Sequence, residues 1–191
     1  MKNIVKFNLK NVYYAPLTIA EDGTPSWGTP VPIPGAVSLS MSAQGDITPF
    51  YADGRKYYVA TSNNGYSGDL TIALVPDSFL VDVLNMELDA SKKILAEYND
   101  RESKNFALLF QFDGDQHGTR HILYNCTATR PQVNGETTTQ TKTPQTESIA
   151  IDAAPLANGL VRARTSDETS EADYNAWFTA VIVPTSTGGE V

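Results

Sequence analysis

Phe106-Ala107-Leu108-Leu109-Phe110-Gln111-Phe112, then Asp113-Gly114-Asp115-Gln116-His117-Gly118, then Ile122, Tyr124, Cys126 and Ala128 at alternate positions: this stretch decides the fold class. The first run is strand-sized, and period-two alternation sets Phe106, Leu108, Phe110 and Phe112 on one face. Ala107 and Leu109 give the opposite face an apolar character too, which predicts a central strand. The Asp-Gly start of the middle segment reads as a hairpin turn. In the second strand, over 121–129, alternation assigns Ile122, Tyr124, Cys126 and Ala128 to one side.

The same period continues outward. Val37, Leu39 and Met41 alternate with Ser38, Ser40 and Ser42, and Leu70, Ile72 and Leu74 alternate with Asp69, Thr71 and Ala73. Both read as half-buried strands with one wet face. Further strands are expected near 12–19, 57–62, 147–154, 160–165 and 178–183. Helix is scarce. Asp77 after Pro76 is placed to cap a helix over Ser78–Asn85, with Leu80, Val83 and Leu84 as its apolar stripe. Ser170 and Asp173 form a capping-box pair opening a second short helix that presents Tyr174, Trp177 and Phe178. Many short strands with one or two short helices predict a mainly β chain, a β-sandwich or barrel with a flanking helix.

Length fits one domain over 1–191, large enough to bury a core without covalent staples. Within it, 43–67 mixes turn residues with Phe50, Tyr51, Arg55, Tyr57 and Tyr58 and reads as a long loop between subunits. Aromatic residues in a long loop favour partner contact over mere flexibility. Residues 134–147 hold Thr137, Thr138, Thr139, Thr141, Thr143 and Thr146 with almost nothing to bury. That segment is read either as flexible or as an extended chain completed by a neighbour. Residues 184–191 form a flexible C-terminal tail.

Charge narrows the function. Twenty-two Asp and Glu against 14 Lys and Arg give a net charge of −8. The densest basic clusters are the pairs Arg55-Lys56 and Lys92-Lys93, which argues against sequence-specific nucleic-acid binding. No run approaches the roughly 20 apolar residues of a membrane helix. Lys2, Lys6 and Lys10 break up the N-terminal apolar residues, so no signal peptide is expected. One cysteine, Cys126, excludes an intrachain disulfide and fits folding in a reducing compartment.

Three candidate chemistries have simpler readings. Asp113, Asp115, His117 and His121 could bind a metal or move protons, but their spacing fits neither a calcium loop nor a helical His pair. A solvated turn explains all four. Cys126 reads as a small buried hydrophobe rather than a nucleophile. Arg120, Arg130, Arg162 and Arg164 sit near strand ends, either pairing with a neighbouring copy or solvated. No catalytic, metal or cofactor residue is assigned. Exposed Trp27, Tyr57 and Trp177 suggest a rival role, a β-sandwich module recognising carbohydrate on a cell surface.

The chain also resembles the phi13-type family of phage major tail proteins, from long, non-contractile-tailed phages. The resemblance is carried by Pro49-Phe50-Tyr51-Ala52-Asp53, Asn63-Asn64-Gly65-Tyr66 and Ile72-Ala73-Leu74-Val75-Pro76-Asp77. It continues through Phe106–Phe110, Phe112–Asp115, Arg120–Cys126, Pro144–Glu147 and Tyr174–Phe178, in the expected order. It implies a tail tube fold that joins as rings of six, stacked into the tube through which DNA is ejected. It also implies tape measure, tail initiator and terminator proteins as partners, DNA that passes without specific binding, and no catalytic residues. The protein would fold in the host cytoplasm and end in the virion.

Overall fold

The computed structural model describes residues 3–137 and 143–185. Part of the Thr-rich segment, 138–142, and most of the C-terminal tail, 186–191, lie outside the described residues. The chain is mainly β, with thirteen strands and two short helices among the described residues; β8 (Glu87–Leu88) and β9 (Leu95–Ala96) form a small ribbon of their own.

At the centre lies β10 (Phe106–Gly114), paired with β11 (Thr119–Ala128) on one side and β1 (Lys6–Ile19) on the other. Both faces of β10 are covered: Phe106, Leu108 and Phe110 enter one apolar cluster, Ala107 and Leu109 a second. The expected central strand is there, and so is the turn after Asp113-Gly114. β1 is longer than the predicted 12–19. Its polar first half hid it, and its pairing is interrupted near Asn8 (φ 30°) and Asn11 (φ 52°), where register shifts fall. Short β2 (Pro25–Trp27) and β3 (Val31–Pro32) complete that side.

The face assignment for β11 needs correcting. Leu108 stands opposite Leu123, but Phe106 stands opposite Cys126, so β11 carries one extra residue between them. This bulge inverts the alternation. Ile122 and Tyr124 pack in the second cluster, while Leu123, Cys126 and Ala128 pack in the first. At the same point β11 changes neighbour on its free edge. β13 (Arg162–Arg164) pairs along 121–123, and β12 (Glu147–Ala153) along 126–128.

β12 pairs with β7 (Gly65–Ile72), and β7 with β4 (Ala36–Gln44), closing the order β2-β1-β10-β11-β12-β7-β4. Val12 and Tyr14 near one end share a cluster with Ile149, Leu70 and Leu39 towards the other. A single sheet can manage this only by curling over itself, which is the expected sandwich or barrel topology. α1 (Asp77–Asp82) fills the fold. Phe79 meets Tyr14 and Phe106 edge-on at centroid distances of 5.2 and 5.4 Å. The Tyr14 hydroxyl donates to Asp82 at 2.7 Å, and burial pushes its pKa up to about 12. Pro76, not Asp77, occupies the N-cap, without a side-chain cap bond. Asp77 sits in the first turn, where its charge suits the helix dipole.

α2 (Glu171–Ala176) begins as expected: the Asp173 amide donates to Ser170 Oγ at 3.1 Å. Residues 178–183 form no strand. Phe178, Val181 and Ile182 instead lie against the second cluster, and the Tyr124 hydroxyl donates to the Ile182 carbonyl at 2.6 Å. An alternating apolar run can cap a sheet face as well as join it.

Candidate functional site

Residues 43–67, read as a long loop with one strand expected near 57–62, are regular. β5 (Ile47–Ala52) and β6 (Arg55–Thr61) form an antiparallel hairpin with register Ala52↔Arg55, Phe50↔Tyr58 and Ile47↔Thr61. Asp53 (φ 53°) and Gly54 (φ 72°) make its two-residue turn, both left-handed as a type I′ turn requires. Asp53-Gly54 was the signal in the sequence that marks this hairpin. It continues the β4–β7 ribbon beyond the sheet. The Ser62 amide donates to Asp46 O at 3.0 Å and the Asn64 amide to Gln44 O at 2.8 Å across the junction. Gly45 (φ 152°) sits against the Ser62 carbonyl, where a Cβ would overlap it.

Almost nothing in the hairpin is buried by its own chain. Phe50, Tyr51, Tyr57 and Tyr58 are 60–65% exposed, and Ile47 is 71% exposed. Arg55 and Lys56 are exposed beside the turn. Phe50 and Tyr58 are cross-strand partners and therefore share a face. A two-stranded ribbon with no core of its own is marginal in water, and exposed aromatic clusters mark interaction surfaces. The chemistry available here is contact, through large apolar rings and unpaired strand edges.

A second surface has the opposite composition. On the outward face of β4, β7 and β12, three rows align: Ser38, Thr71 and Ser148; Ser40, Asp69 and Ala150; Ser42, Ser67 and Asp152. Each is exposed or half-buried. All are small, and none is cationic.

The enzyme-like cluster is taken apart by the fold. Asp113 pairs with Lys10 at 2.8 Å, and the hydrogen bond from Lys10 holds its carboxyl below the usual range. Asp115 accepts the Ile4 amide at 2.8 Å, which lowers its pKa likewise. His117 faces Asp167 at 3.4 Å. The His121 ring stacks on Phe110 with centroids 5.1 Å apart. Burial, then the nearby charges of Arg162, Arg164 and Lys6, lower its pKa to about 4. Among the described residues no three His, Cys, Asp or Glu converge as metal ligands. Cys126 is fully buried and its thiol pKa is raised by burial, as an inert core residue requires.

The tryptophans do not form a sugar platform with Tyr57. Trp177 is buried and donates to His121 O at 3.3 Å. Half-buried Trp27 donates to Tyr124 O at 2.9 Å. Two of the four arginines are used within the chain. Arg130 pairs with Glu97 at 2.6 Å, and Arg120 lies over the Tyr174 ring, 3.8 Å from its centre, and donates to the Tyr174 carbonyl. No described helix is long and apolar enough to cross a membrane.

No family model matches the chain, and no curated protein does. Among solved structures, the anti-feeding prophage cap, described as an AFP tube terminating cap and determined by cryo-electron microscopy, is similar to it. The TM-score is 0.47 at 9% identity, over 87% of this chain and 96% of that one, a likeness too distant to assign a role.

Proposed function

We propose that this chain is a structural subunit of a phage tail that polymerises as stacked rings of six into the tube through which DNA is ejected. The observation that carries the reading is the projecting β5–β6 hairpin, whose Phe50, Tyr51, Tyr57 and Tyr58 lie open on a ribbon with no core of its own. Such a surface makes sense when a copy of the chain covers it. The resemblance carried by segments between Pro49 and Phe178 supplies the family. A head-to-tail contact that closes by rotation gives a ring, and a second along the axis gives a stack. The hairpin supplies the contact between rings, with the four aromatic residues as anchors and Arg55 beside them.

The Ser/Thr/Asp face suits the lumen. Passing DNA must not adhere to the wall, and Asp69 and Asp152 among small hydroxyl side chains repel phosphates and offer no cation to hold them. Tape measure, initiator and terminator proteins are the remaining partners on this reading, and the tail is the destination.

Negative-stain electron microscopy of the purified protein, concentrated or seeded with a tail initiator, tests the reading: rings or rods are expected. The F50S/Y51S/Y57S/Y58S variant should stay folded and fail to polymerise. Tubes of normal length from that variant would remove the hairpin from the contact, and saturable glycan binding by a stable monomer would favour the carbohydrate module.

A further inference from the structure

A cleft of about 660 Å³ opens where β13 and β12 part, between β13, residues 3–6, and the inner side of β4 and β7. That volume falls within the range of ~300–1,000 Å³ typical of ligand sites. Its lining includes Lys6, Arg162 and Arg164 and not one Asp or Glu, in a chain where acidic residues outnumber basic ones 22 to 14. Among the described residues none of the three cations has an ion-pair partner, whereas Lys10, Arg101 and Arg130 do. Two of them lie on aromatic faces: Arg162 is 5.0 Å from the Tyr66 ring centre and Lys6 is 4.7 Å from that of Phe112. A guanidinium over a ring keeps its in-plane N–H groups free for a carboxylate. His121, also in the lining, is held neutral by burial and by these same cations, so the charge of the cleft is that of Lys6, Arg162 and Arg164 alone. β13 pairs with β11 along one edge, and among the described residues its other edge carries no strand.

We infer that this cleft receives an extended acidic segment of a second copy of the chain, lying along the free edge of β13 with carboxylates against Arg162, Arg164 and Lys6. A small anion would answer only the charges; an extended peptide answers the charges and the strand edge together. The copy is the occupant because the rest of its surface is rich in the carboxylates this cleft lacks. That choice of occupant rests on the tail-subunit reading. The preference for an acidic segment does not.

The test has two arms. In the first, fluorescein-labelled hexaglutamate is titrated into purified protein at low salt and followed by anisotropy, with hexalysine and a single-stranded oligothymidylate alongside. Hexaglutamate should bind, R162E/R164E should weaken it by about tenfold or more, and R162K/R164K should retain much of it. In the second arm, R162E/R164E should melt like the parent yet form no rings under the microscope. Equal hexaglutamate binding by parent and R162E/R164E would overturn the inference, and so would tighter binding of the oligothymidylate. Rings in normal yield from R162E/R164E would overturn the second copy as occupant. If the parent protein itself makes no rings, the tail-subunit reading fails, and the peptide arm still decides the cleft.

Discussion

Two hairpins of this molecule share a vocabulary and have opposite fates. β10–β11 turns beyond Asp113-Gly114, β5–β6 turns on Asp53-Gly54, and both are rich in aromatic and aliphatic residues. Along β10 the first six residues are buried; along β5 only Ala52 is better than exposed. The difference is not local. β10 has strands on both sides and apolar clusters on both faces, while β5–β6 has only itself. Apolar side chains report that something will cover them, and only the rest of the fold says whether it is the same chain.

The largest effect that could break this comparison is in the buried hairpin. Phe106→Ala should cost ~3–5 kcal/mol, since its fully buried ring leaves a cavity against Phe79. Urea unfolding reads it directly, and a loss below about 1 kcal/mol would mean the centre is not packed as described. The matching change in the exposed hairpin, Phe50→Ala, should leave the unfolding free energy nearly unchanged, within ~0.5 kcal/mol. It should raise the critical concentration for polymerisation by roughly ten- to a hundredfold, as truncating a contact anchor does. An unfolding shift as large as that of Phe106→Ala would show that the ring supports its own subunit.

Gly54→Ala probes the turn alone. A left-handed φ costs a residue with a Cβ ~1 kcal/mol or somewhat more, so amide exchange across Ile47–Thr61 should quicken while the global melt stays put. Unaltered exchange would indicate a different turn.

The smallest effect is titration at His121. Its folded pKa, about 4, lies below the ordinary 6.5, so the unfolded chain takes up the proton first. Stability is therefore full above about pH 6.5 and is lost as pH falls through the window from 6.5 to 4. One proton of difference caps the slope at ~1.4 kcal/mol per pH unit, and partial solvation of the ring keeps the total below that of a fully buried group. His121→Phe should flatten the melting temperature between pH 6.5 and 4.5; an unchanged slope would place the titration elsewhere.

Strand period carried much of the fold. The pattern at 105–112, the polar faces of β4 and β7 and the Ser170–Asp173 cap could all be read from residues, because each is a local rule acting locally. What escaped were features that depend on counting or on a distant partner. The bulge in β11 leaves no mark in composition, so Cys126 was assigned beside Tyr124 when it faces the other way. The polar half of β1 pairs because β10 is there to receive it. The aromatic residues of 43–67 point to a contact surface and the strand expected near 57–62 is β6, but turn-rich surroundings conceal its partner β5, although Asp53-Gly54 signals a hairpin. The arginines of β13 could not be sorted from Arg120 and Arg130 until the fold supplied a carboxylate or carbonyl partner for those two and, among the described residues, no ion pair for Arg162 and Arg164.

The additional residue in β11 has a consequence for how this chain can vary. Residue count along one strand fixes where β13's border stops and β12's starts, and so where the gap between them lies. Point changes would leave that boundary in place. Lengthening or shortening the strand by a single position would move it, turning a run of side chains inside out and shifting the mouth of the cavity along the sheet.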